Sequence, residues 1–234
     1  MIGPARSVVQ HRLPPLFQAP RERYEPSVRQ VIVYTDFKSP YAYLAQAPIR
    51  ELADATGVKI DWRPYTLDIP SYLGSAELDA EGRVIGGQRD AHQWRKVRYA
   101  YMDCRRQANA RGLTILGTRK IWDSSLAAIG LLWAKRQGET VLRAYADLTF
   151  ERFWRRALDI EDPAVVAATL AEAGAEIAGF PDFLAGKGRA EHDAIRSQAE
   201  AAGVFGVPSL VVDGELYWGR EHLPDIRARL LAGT

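Results

Sequence analysis

The hydrophobic pattern of this chain changes character three times. Val31-Ile32-Val33-Tyr34 is a short apolar, β-branched run, which predicts a buried strand. After Thr35-Asp36-Phe37-Lys38-Ser39-Pro40 the spacing of Tyr43, Leu44, Ala47, Glu51 and Leu52 predicts a helix, with Gly57 as its stop. Val58-Lys59-Ile60-Asp61-Trp62-Arg63 alternates like a second strand and Pro64 closes it. The chain therefore opens as strand, helix, strand, and a right-handed crossover makes the two strands parallel.

Residues 68–90 carry Pro70, Gly74, Gly82, Gly86 and Gly87 and read as irregular. Mainly helical patterns follow. Trp94, Val97, Tyr101, Cys104 and Ala108 form one apolar stripe over 92–110. Further helices are predicted at 123–136, at 139–154, from Asp162-Pro163 to about Ala173, and briefly from Phe180. The last part returns to mixed structure. An alanine-rich helix over 189–202 stops at Gly203, and Ser209-Leu210-Val211-Val212 is a strand. Asp213-Gly214 is a hairpin signal, Glu215-Leu216-Tyr217-Trp218 the return strand, and Leu223, Ile226, Leu230 and Leu231 share one face of a closing helix. The pattern is an α/β domain with a helical insertion.

Composition narrows the chemistry. With 47% apolar and 26% charged residues the chain is globular, and no run approaches the ~18 apolar residues of a membrane span. A single cysteine, Cys104, excludes an internal disulfide, a CxxC redox pair and a zinc site needing two thiolates. The four histidines are scattered, and no metal site is expected. Residues 1–29 hold five arginines against Glu22 and Glu25, net +3, which leaves −1 on the other 205 residues. The body has no basic excess suited to nucleic acid. The proline-rich segment 1–30 lacks an apolar stretch of a secretory signal and reads as a basic extension, either loosely docked or touching a partner subunit. Together with the lone cysteine this points to the cytoplasm and away from membranes.

Two motifs stand at the ends of the patterned region. The first is Asp36-Phe37-Lys38-Ser39-Pro40-Tyr41-Ala42-Tyr43-Leu44-Ala45, directly after strand one. The second is Gly203-Val204-Phe205-Gly206-Val207-Pro208-Ser209, followed by Val211-Val212-Asp213-Gly214-Glu215 and Trp218-Gly219. Together with Lys96-x-x-Tyr99-x-x-x-Asp103-x-x-Arg106 they resemble the 2-hydroxychromene-2-carboxylate isomerases and kappa-class glutathione transferases. These are DsbA-like thioredoxin folds with an all-helical insertion and a Ser-Pro at the CxxC position. The resemblance spans about residues 31–232. It implies a discontinuous thioredoxin-like domain of residues 31–75 and 190–234, an insertion domain over 76–189, glutathione as cofactor, a small-molecule substrate and a homodimer.

Ser39-Pro40 is also simply a good helix start. The resemblance gives Ser39 a second role. At a helix N-terminus its hydroxyl stabilises the thiolate of glutathione by hydrogen bonding to the charged form. It implies that Val207, before a cis Pro208, pairs with the cysteinyl backbone of glutathione. Arg220 and Glu221 stand where the family usually places a small polar residue and an aspartate for the γ-glutamyl end. Lys96, Tyr99 and Arg106 share a helix face and are substrate-pocket candidates or members of a solvated face. Cys104 reads as a buried, inert residue, and Lys38 as exposed. Two rival functions are a DsbA-type thiol–disulfide oxidoreductase, which the serine at position 39 argues against, and a non-catalytic binding protein in which Arg220 plugs the pocket.

Overall fold

Residues 30–232 are described by a computed structural model. The expectation for the basic extension lies outside the described residues. The first strand, β1 (Gln30–Thr35), has no solvent exposure at Val31 and Val33 because strands flank it on both sides. A central strand of this kind needs apolar side chains on both faces, and the Val-Ile-Val-Tyr run supplies them. α1 (Pro40–Thr56) follows, and then β2 (Lys59–Pro64), parallel to β1 with Val33 opposite Trp62. Gly57 closes α1 at φ 71°, where its N–H reaches the Ala53 carbonyl.

Pro48 lies inside α1 and has no N–H to give to the Leu44 carbonyl. Arg111 fills the gap: its Nη1 donates to Leu44 O at 2.8 Å. A side chain 67 residues away thus repairs the helix and ties it to the following segment.

Segment 68–90 is more ordered than its glycines and prolines suggest. It holds the five-residue α2 (Ile69–Leu73) and a hairpin of β3 (Ala76–Leu78) and β4 (Val84–Gly87). The expected all-helical insertion is therefore helical with a two-stranded hairpin at its start. Then come α3 (Ala91–Asn109), α4 (Ser125–Arg136), α5 (Glu139–Trp154), α6 (Pro163–Glu172), α7 (Phe180–Ala185) and α8 (Lys187–Ala201). α4 is apolar nearly all round and lies in the core between α5, α6, α7 and α8. Its Gly130 leaves room for the Tyr145 hydroxyl, which donates to Ala127 O at 2.9 Å.

β5 (Ser209–Val212) returns to the other side of β1, antiparallel, with Leu210 opposite Val33. β6 (Glu215–Trp218) forms the edge, so the sheet order is β2-β1-β5-β6. Asp213 (φ 50°) and Gly214 (φ 79°) both have positive φ, as a two-residue primed turn requires. A 3₁₀ turn (Arg220–His222) leads into α9 (Leu223–Ala232), which packs on α1. One continuous apolar core runs from the sheet through α4, α5 and α6.

Candidate active site

Ser39 is held from three directions. It caps α1, accepting from Ala42 N at 3.2 Å, and Pro40 occupies the first helical position. Its own N–H reaches Asp36 O at 3.0 Å. Its hydroxyl proton goes to the Val207 carbonyl at 3.3 Å, across 168 residues. Ser39 is nearly buried but opens on a cleft of about 760 Å³. The cap of the 17-residue α1 and the hydroxyl at the cleft are the same atom, so the helix-start reading of Ser39-Pro40 holds and the residue also lines the cleft.

The loop before Ser39 is fixed by two anchors. Phe37 inserts between Tyr145 and Phe150 of α5, with ring centroids 5.9 and 4.8 Å away. Asp36, buried, accepts from Lys38 N at 3.1 Å and Leu67 N at 2.8 Å. Lys38 is buried too, contrary to the exposed placement its charge suggests. Its ammonium lies 3.8 Å from Asp36 and donates to Trp122 O at 3.2 Å. Burial of the lysine is tolerated because a carboxylate and a carbonyl replace its water.

Opposite Ser39 lies the Val207-Pro208 bond, which is cis. The Val207 N–H makes no hydrogen bond among the described residues, while the Pro208 carbonyl is taken by Gly219 N at 2.9 Å. Phe205 and Trp218 stand half-exposed at the cleft's rim with ring centroids 4.9 Å apart. Trp218 lies against Gly206, where a Cβ would come within 2.6 Å of its Nε1. The remaining wall comes from Tyr72 of α2, Arg89, Val97 and Tyr101 of α3, and Trp122. The lining is mainly apolar and aromatic with a few polar and charged groups among it, the usual make-up of a small-molecule site.

Other expected site residues fall elsewhere. Lys96, Tyr99 and Arg106 do share one face of α3, but that face is exposed and does not line the cleft. Val97, Ala100 and Tyr101 of the same helix line it instead. Arg220 is turned toward α3, where it donates to Gln107 Oε1. Gln107 and Tyr41 both donate to Asp103, at 2.6 and 3.2 Å, so Arg220 belongs to a polar cluster beside α1. It does not plug the cleft. Glu221 folds back over Gly219, whose φ of 103° and crowding by that carboxylate leave no place for a side chain. Neither Arg220 nor Glu221 lines the cleft. Cys104 is fully buried, and burial first of all pushes its thiol up to about 11. Among the described residues no cluster of three or more His, Cys, Asp or Glu is placed to hold a metal, and no helix is long and apolar enough to cross a membrane.

Asp36, Trp122 and Arg89 were not singled out by sequence reasoning. Asp36 carried a usable signal, because it stands two residues before a lysine in a loop that must turn tightly into a helix. Trp122 and Arg89 join the cleft only through tertiary packing.

A β-α-β unit and a β-β-α unit sharing one mixed sheet, with a helix N-terminus facing a cis-proline, define a thioredoxin-fold protein whose redox position is a serine. The chain belongs to the DSBA-like thioredoxin domain family, whose model matches residues 30–231. It is 29% identical over 199 residues to a 2-hydroxychromene-2-carboxylate isomerase of Sphingobium xenophagum, covering 85% of this chain and 96% of that one. Among solved structures it resembles a 2-hydroxychromene-2-carboxylate isomerase with a TM-score of 0.66 at 23% identity, covering 87% of this chain and 95% of the other. It also resembles a cytosolic disulfide reductase of Pseudomonas aeruginosa solved with GSH, with a TM-score of 0.57 at 16% identity, covering 87% and 98% of the two chains.

Proposed function

We propose that the protein is a glutathione-dependent isomerase acting on a small aromatic or unsaturated acid of the 2-hydroxychromene-2-carboxylate class. The observation that carries this reading is the placement of the Ser39 hydroxyl at the N-terminus of α1, open to an aromatic-walled cleft. The relatives' isomerase name and the neighbour solved with GSH support it.

The thiol end of glutathione fits the residues present. Val207 N–H is an unused donor beside Ser39 and can pair with an extended peptide backbone, as an added strand does. The opposite, amino-acid end has no partner among Arg220 and Glu221 as they stand. When bound, glutathione supplies the thiolate that adds to the electrophilic carbon and is expelled again. Ser39 turns its proton from the Val207 carbonyl to the sulfur, exchanging a 3.3 Å bond to a neutral acceptor for one to an anion, which is the stronger kind. The α1 N-terminus favours the same negative charge. Ser39 stays protonated throughout, because its role is to donate.

A thiol–disulfide exchange activity has no thiol to use, since Cys104 is buried at the α3 stripe and not in the cleft. Calorimetry with glutathione and the ultraviolet absorbance of its thiolate test the proposal. The wild type is expected to bind it and lower the bound thiol below the ordinary value of about 8.5. Ser39→Ala is expected to lose that lowering and to slow conversion of 2-hydroxychromene-2-carboxylate by about 10²–10³-fold, the usual cost of one lost donor to a developing charge. Absence of glutathione binding by the wild type sinks the reading.

A further inference from the structure

Four cationic side chains line the cleft: Lys38, Arg89, Lys120 and Arg196. Three of them already face a carboxylate. Lys38 lies 3.8 Å from Asp36, Lys120 pairs with Glu161, and Arg196 Nε is 2.9 Å from Glu200. Arg89 stands apart. Among the described residues its guanidinium meets no carboxylate. Its Nε donates to Leu73 O at 3.0 Å, and its Cζ lies 5.2 Å from the centre of the Trp94 ring.

The chain fixes Arg89 without neutralising it. The adjacent carboxylate, Asp90, is committed to capping α3: it accepts from Gln93 N at 2.7 Å, and the Gln93 side chain accepts from Asp90 N at 2.9 Å. Below Arg89, α2 ends at Gly74 with φ 63°. A Cβ at Gly74 would come within 3.2 Å of both Arg89 Cα and Cγ, so only glycine lets the end of α2 close on the arginine stem. The Leu73 carbonyl holds Nε, and the guanidinium lies over the Trp94 ring. What is left is the pair of terminal nitrogens, Nη1 and Nη2. Burial works against the charge, yet an arginine keeps it at neutral pH.

A half-buried guanidinium with two donors unused among the described residues, in a cleft whose lining is otherwise mostly apolar, has one obvious complement. We infer that Arg89 is the specificity-determining residue of the cleft and takes the carboxylate of a small aromatic acid through Nη1 and Nη2, with the ring of that acid against the apolar lining. The inference rests on the reading of the cleft as the substrate site. The chemistry is a bidentate, charge-assisted pair, which a planar carboxylate satisfies and a neutral amide does not.

The test uses 1-naphthoate and its neutral counterpart 1-naphthamide, titrated calorimetrically into the full-length protein without glutathione. The wild type is expected to bind naphthoate at least about tenfold more tightly than naphthamide, the effect of hydrogen bonds to a charged group. Arg89→Met is expected to erase that preference while leaving naphthamide affinity unchanged. Arg89→Lys keeps the charge but not the fork, so its preference falls between the two, and it serves if the methionine variant does not fold. A preference that survives in Arg89→Met, or a wild type that shows none, overturns the inference. Because no glutathione is present, failure of glutathione binding does not affect this result. Conversely, loss of the carboxylate preference leaves the thiol-activating role of Ser39 standing.

Discussion

The two walls of the cleft are built in opposite ways. The sheet-side wall consists of Ser39 and Val207, both buried, each placed by an element at the heart of the fold. The facing wall draws on α2, which buries none of its five residues, and the hairpin that follows α2 in the chain, though it does not line the cleft, leaves Val84 and Ile85 more than half exposed. The contrast separates two demands. A group that stabilises a charge must be held within a fraction of an ångström, so it sits on a helix end locked by packing. A group that chooses a substrate is better placed on a surface segment that can change without disturbing the core.

The sharpest way to break this contrast is to remove the anchor of the rigid wall. Asp36→Ala leaves the Lys38 ammonium buried without its carboxylate and frees the Leu67 N–H. The expected loss is about 3–5 kcal/mol of stability, read from denaturant unfolding. A loss under about 1 kcal/mol would mean that water already shares the site.

Hydrogen exchange measures the contrast directly. Amides of β1 and β5 are expected to be protected at least about 100-fold more than those of α2 and the β3–β4 hairpin. Equal protection would show that both walls open together.

Alkaline pH probes the buried face of α3, the helix that gives Val97 and Tyr101 to the facing wall. Cys104 is an acid whose folded value, about 11, lies above its ordinary 9.0. The folded state therefore holds the proton more tightly, and this contribution is complete below about pH 9 and fades as pH rises toward 11. About 2–3 kcal/mol is expected to vanish over that window, and Cys104→Ala is expected to remove this part of the pH dependence. A variant with the same slope as wild type would assign the loss to other groups.

The smallest effect is expected on the outer face of α3. Lys96→Ala and Arg106→Ala should each change stability by less than about 0.5 kcal/mol, since the Arg106–Asp103 pair is solvated. Neither is expected to alter naphthoate affinity. A clear loss in either would return that face to the substrate site.

The legibility of the sequence follows the same division. All four strands of the main sheet could be read: buried strands demand β-branched and aromatic runs such as Val31–Tyr34 and Ser209–Val212, and the exposed edge strand β6 was announced by the Asp213-Gly214 turn before it. Ser39 was legible because a cap followed by proline is a local signal. The β3–β4 hairpin was not. It is exposed, its strands have three and four residues, and its open end closes at Gly87, whose φ of 128° permits a close approach to Ser75 that no side chain could share. On α3 the spacing of Lys96, Tyr99 and Arg106 gave their common face correctly. Periodicity groups residues by face but does not say which face meets the cleft, and here the cleft took Val97 and Tyr101. Lys38 was misplaced because its burial depends on a carbonyl 84 residues away.

The bond from Ser39 to Val207 also has a history in time. It joins residues 168 apart, and the strand that follows Val207 pairs with the strand that precedes Ser39. During synthesis the first two strands and α1 emerge early, yet the site is incomplete until β5 has been made. Nearly the whole described chain must be present before the sheet gains its third strand. Contacts between such distant segments form late, because the intervening chain must first be gathered in. A truncated product ending before residue 207 would thus carry Ser39 at a helix start but lack the opposing backbone, so incomplete chains cannot assemble the cleft.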